Sequence, residues 1–286
     1  MKSIQDHRDL KNKKVLLRLD LNVPLKNGKV TDTTRINKII PTIKFLLKNQ
    51  SKLIILSHVG RPKGKIVNEL SLKPICEELK IKINEHIELI SKNIKKTNPN
   101  DLFKNSNNRI VMFENLRFNE EEEKNDCEFA KNLARFADIY VNDAFSCSHR
   151  SHASVEGITK HIPSYFGLQI AEEINALKKI TSEIEKPVSL IIGGSKISTK
   201  IKIINNLIKK FNNIIIVGGM ANTMLKHSGI RIGKSMCEHE CGPLIKEIIE
   251  NSKKYDCEII TPKDVIVSKS LDGEGKEKNI NEINEN

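Results

Sequence analysis

The chain has 286 residues, of which 38% are hydrophobic and 29% charged, a balance typical of a globular protein with one large or two modest domains. The charged N-terminus lacks the apolar segment of a signal peptide and no apolar run approaches the length of a membrane span, so we expect a cytoplasmic protein. The net charge of +12 admits nucleic acid, a membrane surface or a small acidic substrate as partner, but 4% aromatic residues and no tryptophan disfavour a nucleic-acid binder.

Short β-branched and leucine-rich runs alternate with helical patterns, which predicts an α/β fold. We expect two lobes, each a parallel sheet with crossover helices on both faces. The predicted strands are Val15–Leu19, Leu53–Leu56, Ile110–Phe113, Ile139–Val141, Val188–Ile192, Ile214–Val217 and Glu258–Ile260. The predicted helices are Arg35–Lys48, Ser71–Leu79, Cys127–Phe136, Leu168–Ile184, Ser198–Lys210, Met220–Lys226 and Gly242–Lys253. Pro41 is expected to kink the first helix.

A long helical pattern follows Pro163–Tyr165 and is interpreted as a connecting helix. We therefore expect one domain over residues 1–165 and a second, incomplete one over 166–267. Residues 268–286 contain almost no apolar side chains, which predicts a polar tail or an open loop.

Polar motifs follow the first two predicted strands, where ligands of open α/β sheets bind. The first motif, Arg18-Leu-Asp-Leu-Asn-Val-Pro, offers Asp20 and Asn22 to hydroxyl groups, although a local turn would use the same residues. The second, Ser57-His-Val-Gly-Arg-Pro, places His58 and Arg61 around a glycine that permits close approach of an anion. A histidine at a strand end can equally be a structural residue.

Further arginines stand beside the other strand ends. Arg35 opens the first helix, where its charge opposes the helix dipole; Arg117 lies in Glu114-Asn-Leu-Arg-Phe; and Arg150 follows Asn142-Asp-Ala-Phe. Together with Arg61 they provide four guanidinium groups, enough to bind a phosphate and a carboxylate bidentately. An exposed arginine on a solvated turn is the alternative for each residue alone.

The second lobe has glycine-rich segments after two predicted strands. Gly193-Gly-Ser-Lys-Ile-Ser-Thr-Lys ends at a helix start, an arrangement suited to phosphate groups. Gly218-Gly219 follows the next strand, and close packing of helix on strand is the alternative reading of either glycine pair. The segment Gly229–Ser235 is one residue too short for a Walker motif and is interpreted as a loop.

The cysteines suggest no disulfide framework. All six are scattered, as expected of packing thiols in a reducing compartment. Cys237, His239 and Cys241 could in principle hold a metal, but their spacing matches no standard zinc pattern, and a helix start or loop is the other interpretation.

The four motifs of the first lobe and the lysine-containing glycine segment resemble phosphoglycerate kinases in order and approximate spacing. The resemblance implies a 3-phosphoglycerate site formed by Asp20, Leu21, Asn22, Arg35, His58, Val59, Gly60, Arg61, Arg117 and Arg150. It implies a nucleotide site formed by Gly193, Gly194, Lys196, Lys200, Gly218 and Gly219, with catalytic roles for Arg35 and Lys196.

The same resemblance implies a reaction and its partners. A phosphoryl group would pass from 1,3-bisphosphoglycerate to ADP, with Mg²⁺ accompanying ADP or ATP, on a monomer that binds neither nucleic acid nor a membrane. The resemblance covers about residues 2–267, and the family's Trp-Asn-Gly-Pro segment, ribose acid, Gly-Gly-Gly-Asp loop and closing helix are not found. A non-catalytic phosphoglycerate-binding remnant is therefore the alternative.

Overall fold

A computed structural model describes residues 2–104, 108–182, 184–270 and 272–283. The chain divides into two compact units, Met1–Ala176 and Leu177–Asn286. In the described ranges, no helix is long and apolar enough to cross a membrane.

The first unit is built on a seven-stranded sheet of described residues in which every neighbouring pair is parallel. From one edge to the other, its strands are Lys2–Ser3, Ser164–Phe166, Ile139–Asp143, Lys14–Leu19, Lys52–Leu56, Ile110–Phe113 and Ile87–Ile90. In chain order, the strands of the unit are β1 (Lys2–Ser3), β2 (Lys14–Leu19), β3 (Leu25–Lys26), β4 (Lys29–Val30), β5 (Lys52–Leu56), β6 (Ile87–Ile90), β7 (Ile110–Phe113), β8 (Ile139–Asp143) and β9 (Ser164–Phe166). Its helices are α1 (Thr34–Lys48), α2 (Lys73–Ile83), α3 (Glu120–Glu123), α4 (Cys127–Ala134) and the start of α5 (Leu168–Thr181). Strands β3 and β4 form a short separate hairpin.

Alternate residues of the central strands enter two different cores. Val15 and Leu17 of β2 belong to the core that includes the buried faces of α1 and α2, whereas Leu16 belongs to the core that includes α4. Because successive side chains of a strand point to opposite faces, this division places helices on both sides of the sheet. The predicted three-layer α/β arrangement is confirmed for this unit.

Helix α5 is anchored at its N-terminus by a buried carboxylate. Asp143, which is 1% exposed, accepts hydrogen bonds from the Ile170 amide (3.0 Å) and from the Thr42 hydroxyl, which in turn accepts from the Leu168 amide. A Cβ at Gly167 would lie 2.4 Å from the Asp143 carboxyl carbon, so only glycine leaves room for this cap. These bonds tie the start of α5 to the first unit, and the boundary between the units falls inside the helix rather than before it.

The second unit has a three-stranded parallel sheet in the described residues, ordered β10 (Ser189–Gly193), β11 (Asn213–Val217) and β12 (Glu258–Ile260). Helices α6 (Ile201–Ile208), α7 (Gly218–His227) and α8 (Gly242–Lys254) supply its core together with Ile214 and Ile216. The opposite sheet face carries Ile191, Ile215 and Ile260 side by side in register. Ile191 is 67% exposed, so this isoleucine row is incompletely covered.

The C-terminal segment differs from the expected polar tail. Strands β13 (Asp264–Val267) and β14 (Lys276–Asn279) pair antiparallel, and a short 3₁₀ turn, Ile280–Glu282, follows. Main-chain hydrogen bonds can join a polar strand to a neighbour without a buried face, which is why the polar sequence of β14 did not reveal its pairing with β13.

All seven predicted strands and all seven predicted helices occur among the described residues; β7 and β12 have the predicted bounds, and the other elements have shifted ends. The largest single shift is in α2, which ends at Ile83 instead of Leu79, and α6 begins at Ile201 instead of Ser198. Helix α1 continues through Pro41. The sequence missed helix α3 and the strands β1, β3, β4, β6, β9, β13 and β14, each of which has at most four residues.

Candidate anion-binding site

The candidate site lies at the carboxyl ends of four adjacent strands of the first unit. Strands β8, β2, β5 and β7 are parallel neighbours, so the segments that follow them share one edge of the sheet. Those segments contain the predicted phosphoglycerate residues other than Arg35, which lies in the first turn of α1.

Hydrogen bonds fix the segments after β2 and β5 to one another. The Ser57 hydroxyl donates to the Leu19 carbonyl over 2.8 Å and accepts from the Leu21 amide over 3.1 Å. The Gly60 amide donates to Asn22 Oδ1 over 3.0 Å. Asn22 and Gly60 are thus brought into direct contact, as their shared place in the predicted site requires.

Asp20 joins three parts of the site. Its Oδ2 accepts from Arg35 Nη1 over 2.7 Å and from the Ser146 hydroxyl over 2.6 Å. The guanidinium of Arg35 remains half exposed, so charge and hydrogen-bond donors are still available to a ligand.

Arg117 is a buried arginine. Its side chain is 4% exposed and donates from Nη1 to the Gly60 carbonyl over 2.8 Å. Its Nε lies 3.2 Å from Glu123 Oε1. Burial lowers the pKa of the Arg117 guanidinium, and the nearby Glu123 opposes this effect. Arg117 therefore holds the loop after β5 while adding positive charge.

His58 is also buried, with 4% exposure, and its Nδ1 lies 2.9 Å from Arg18 Nη2. Burial lowers the pKa of His58 to about 2, and the charges of Arg18, Arg117 and Arg150 contribute to the shift. The imidazole is consequently neutral at physiological pH.

Arg61 and Arg150 are more accessible. Arg61 is exposed, and Arg150 is half-buried and lines a pocket of about 620 Å³ together with His149, Phe145 and Phe166. The charge of Arg150 contributes to lowering the pKa of His58, after burial and the charges of Arg18 and Arg117. Arg61 follows the same strand as His58, but the structure gives it no hydrogen bond to the other predicted residues.

The sequence reasoning missed the polar groups beneath the site. Arg18, Glu122 and Ser154 are each at most 1% exposed, and Arg18 Nε donates to the Ser154 hydroxyl over 3.1 Å. A signal was present for Arg18, because a charge between Leu17 and Leu19 of an apolar strand must be paired when buried. Ser154 and Glu122 gave no comparable signal.

In the second unit, the two glycine segments meet at the ends of β10 and β11. The Met220 amide donates to the Gly194 carbonyl over 2.9 Å, and a Cβ at Gly219 would lie 3.1 Å from the Ser195 carbonyl oxygen. Close packing is therefore one reason for the glycine pair at Gly218-Gly219.

Lys196 and Lys200 lie between β10 and α6. Lys196 is exposed and Lys200 is the residue immediately before α6. Glu238 accepts hydrogen bonds from the backbone amide and the hydroxyl of Ser198, between the two lysines. The Glu238 carboxylate thus fixes the loop between β10 and α6, and it occupies the Ser198 amide, a donor that could otherwise bind a phosphate.

The other sequence motifs of this unit form no site that the structure describes. Residues 229–235 are a loop, as predicted. Among the described residues, no group of three or more His, Cys, Asp or Glu side chains could hold a metal, and this includes Cys237, His239 and Cys241. The cysteines are free thiols, and four of them are buried: Cys76, Cys147, Cys241 and Cys257.

The fold defines a two-unit α/β protein, and several arginines follow the strands at one edge of its first sheet. The family model described as "Phosphoglycerate kinase" matches residues 4–286, and the chain belongs to the phosphoglycerate kinase family.

Individual relatives agree with this assignment. The chain is 44% identical over 271 residues to a phosphoglycerate kinase of Chelativorans sp. strain BNC1, covering 95% of this chain and 68% of that one. It is 44% identical over 264 residues to the phosphoglycerate kinase of Wolbachia pipientis wMel, covering 92% of this chain and 66% of that one. The phosphoglycerate kinase structure from Coxiella burnetii matches with a TM-score of 0.84 and 37% identity, covering 99% of this chain and 72% of that chain. The phosphoglycerate kinase structure from Pyrococcus horikoshii OT3 matches with a TM-score of 0.80 and 26% identity. This match covers 100% of this chain and 72% of that chain.

Proposed function

We propose that this protein catalyses reversible phosphoryl transfer from the acyl phosphate of 1,3-bisphosphoglycerate to Mg-ADP, giving 3-phosphoglycerate and ATP, in glycolysis and gluconeogenesis. In the reverse direction the acceptor is a carboxyl group. The observation that carries the proposal is that Arg117, Arg150 and buried His58 follow neighbouring strands at one edge of the first sheet, where Arg35 also pairs with Asp20, in a chain of this family. We further propose a cytoplasmic monomer without nucleic-acid or membrane partners.

The first unit supplies the phosphoglycerate site in this proposal. The guanidinium groups of Arg35, Arg61, Arg117 and Arg150 neutralise the phosphate and carboxylate, since charge-assisted bidentate bonds suit both groups. Asp20 and Asn22 bind the hydroxyl group. His58 donates a further hydrogen bond, and the backbone of Leu21, Val59 and Gly60 shapes the floor of the site.

The second unit supplies nucleotide contacts. Lys200 and the backbone of Gly193, Gly194, Gly218 and Gly219 bind ADP or ATP, and Mg²⁺ enters as part of the nucleotide substrate. Lys196 stabilises charge on the transferring phosphoryl group, while Arg35 does so from the phosphoglycerate side. Phosphoryl transfer needs positioning and charge stabilisation more than covalent chemistry, so no enzyme-bound intermediate is required.

A second candidate is phosphoglycerate binding without catalysis. The observation that favours it is the 67% exposure of Ile191 in the second sheet. In this case the first unit would bind its ligand while the second would bind nucleotide poorly.

Calorimetric titration with 3-phosphoglycerate tests the site. Arg61→Ala and Arg150→Ala should each weaken binding by about 1–3 kcal/mol, because each removes a charge-assisted hydrogen bond. Arg8→Ala is the control, since Arg8 is exposed and lies before β2, outside the four strand ends. Unchanged affinity in both site variants would remove the assignment, and a titration repeated with ATP separates the enzyme from the non-catalytic binder.

A further inference from the structure

Beneath the proposed site, a chain of buried polar side chains ends at His58. Arg18 donates from Nη2 to His58 Nδ1 over 2.9 Å, from Nε to the Ser154 hydroxyl over 3.1 Å, and from Nη1 to the Leu19 carbonyl. Three bonds in three directions hold the guanidinium in one orientation. Arg18 is 1% exposed, so it is part of the interior rather than of the ligand-facing surface.

The charge of Arg18 is balanced on its other side. The Ser154 hydroxyl donates to Glu122 Oε1 over 2.6 Å, and the Ser154 amide donates to Oε2 over 3.0 Å. Burial raises the pKa of Glu122, but both oxygens accept hydrogen bonds, an arrangement that suits the ionised carboxylate. Ser154 thus bridges a buried Arg18–Glu122 pair, and Tyr140 fixes the bridge by donating to the Ser154 carbonyl over 2.6 Å.

The chemistry of this contact determines the form of the imidazole. A guanidinium group has five donors and no acceptor, so His58 Nδ1 must accept the bond and cannot carry a proton. The proton of the neutral ring is then on Nε2. In the described parts of the chain, no protein acceptor is found for that N–H, which leaves it for an external one.

We propose that Arg18 is a positioning residue that keeps His58 in the neutral Nε2–H form, so that His58 serves the anion site as an uncharged donor. This inference rests on the proposed function for the identity of the anion. A neutral donor is favourable here because Arg117 and Arg150 already act on the ring, and a further buried cation beside them would be repelled.

The other groups around the ring support the same protonation state. The charged or titratable groups that act on His58 are Arg18 from β2, Arg117 after β7, and Arg150 and His152 after β8. Each of them disfavours a positive imidazole, and the pKa of His152 is itself lowered by burial. Ligand binding should therefore follow the ionisation of the ligand and not that of His58.

The tautomer can be observed directly by long-range ¹H–¹⁵N correlation spectra of the ¹⁵N-labelled 286-residue chain without ligand. The His58 signals are assigned from their loss in His58→Gln. We expect an unprotonated Nδ1 and a protonated Nε2 that do not change between pH 7.5 and 5. A free imidazole, with a pKa of about 6.5, would titrate within this range. A protonated Nδ1, or titration in this range, would overturn the inference.

A substitution gives a second measurement. Arg18→Lys keeps the charge opposite Glu122, but a single ammonium cannot replace the planar fork, so His58 should become titratable and 3-phosphoglycerate affinity at pH 7.5 should fall about tenfold. Arg135→Lys is the matched control, because Arg135 donates to the carbonyls of Ile94, Lys95 and Thr97 outside the site. It should leave the His58 spectrum unchanged.

The two measurements separate this inference from the proposed function. If His58 is locked but 3-phosphoglycerate does not bind, the function is wrong and the positioning role stands. If 3-phosphoglycerate binds but His58 titrates normally, the positioning role is wrong and the function stands.

Discussion

Arg35 and Asp20 form an ion pair of 2.7 Å that joins the first turn of α1 to the end of β2. We expect Asp20→Asn to weaken 3-phosphoglycerate binding by about 1–2 kcal/mol, because Arg35 loses its charged partner and one carboxylate oxygen is replaced by an NH2 donor. The free energy of unfolding should change by less than about 1 kcal/mol, since half-exposed pairs contribute little. Calorimetry and urea denaturation give the two values.

The control for this prediction is Glu77→Gln, which removes the partner of Lys80 in a 2.8 Å pair on α2. It should change neither value appreciably. An equal loss of ligand affinity in Glu77→Gln would show that the effect of Asp20→Asn is not specific to the site.

Asp143 should be a major stabilising residue. Asp143→Ala leaves the Thr42 hydroxyl and the Ile170 amide without their acceptor, so we expect the free energy of unfolding to fall by about 2–4 kcal/mol. Asp126→Ala is the comparison, because Asp126 caps the exposed N-terminus of α4 by accepting from the Phe129 amide over 2.8 Å, and it should cost about 1 kcal/mol. Equal losses in urea denaturation would refute the special role of the buried cap.

Burial of neutral His58 should make the protein sensitive to acid. The folded-state pKa of about 2 lies below the unfolded value of 6.5, so below pH 6.5 the unfolded chain binds a proton that the folded chain does not. Stability attributable to this residue is therefore complete above pH 6.5 and is lost progressively as the pH falls toward 2. Between about pH 6.5 and 4.5 the loss amounts to roughly 2–3 kcal/mol.

Urea denaturation across this pH range tests the sign and size of the effect. His58→Gln should abolish that part of the acid sensitivity, whereas His86→Gln, at an exposed position before β6, should retain it. Parallel curves for wild type and His58→Gln would contradict the expected linkage.

Lys196 should act on the transition state more than on the bound ligand. In a chimaera that continues this chain with the C-terminal third of the Chelativorans relative, Lys196→Ala should lower single-turnover rates by about 10²–10³, with little effect on 3-phosphoglycerate affinity. Lys202→Ala, in the first turn of α6, is the control. Normal rates combined with lost affinity would make Lys196 a binding residue.

The 286-residue chain alone should turn over slowly or not at all in a coupled ATP assay, although its first unit binds 3-phosphoglycerate. Precise positioning of ADP can account for several kcal/mol of a barrier, and the second sheet has an incompletely covered face at Ile191. Limited proteolysis should cut the second unit first. Turnover equal to that of the chimaera would exclude the non-catalytic alternative.

The sequence was sufficient to predict features that depend on a single local rule. Ile110–Phe113 is a short apolar run, and its predicted bounds match β7. The phosphoglycerate motifs could be placed on one edge because carboxyl ends of parallel strands coincide, whatever the exact packing.

Contacts between distant segments could not be predicted in this way. The Arg18–Ser154 hydrogen bond joins residues 136 positions apart, and the Asp143–Thr42 bond joins residues 101 positions apart. In neither pair does the local sequence around one residue indicate which distant residue it contacts. The same limit explains β14, whose polar residues pair through the main chain.

Gly167 shows how tightly one such long-range contact can restrict evolution. Its backbone is not in the left-handed region, so its conformation alone would accept any residue, yet even the methyl group of alanine would overlap the Asp143 carboxyl. As long as Asp143 is present, we therefore expect no other residue to be tolerated at position 167. A saturation library at residue 167, selected for folded protein, should return glycine almost alone, and other residues should reappear only with a second change at Asp143.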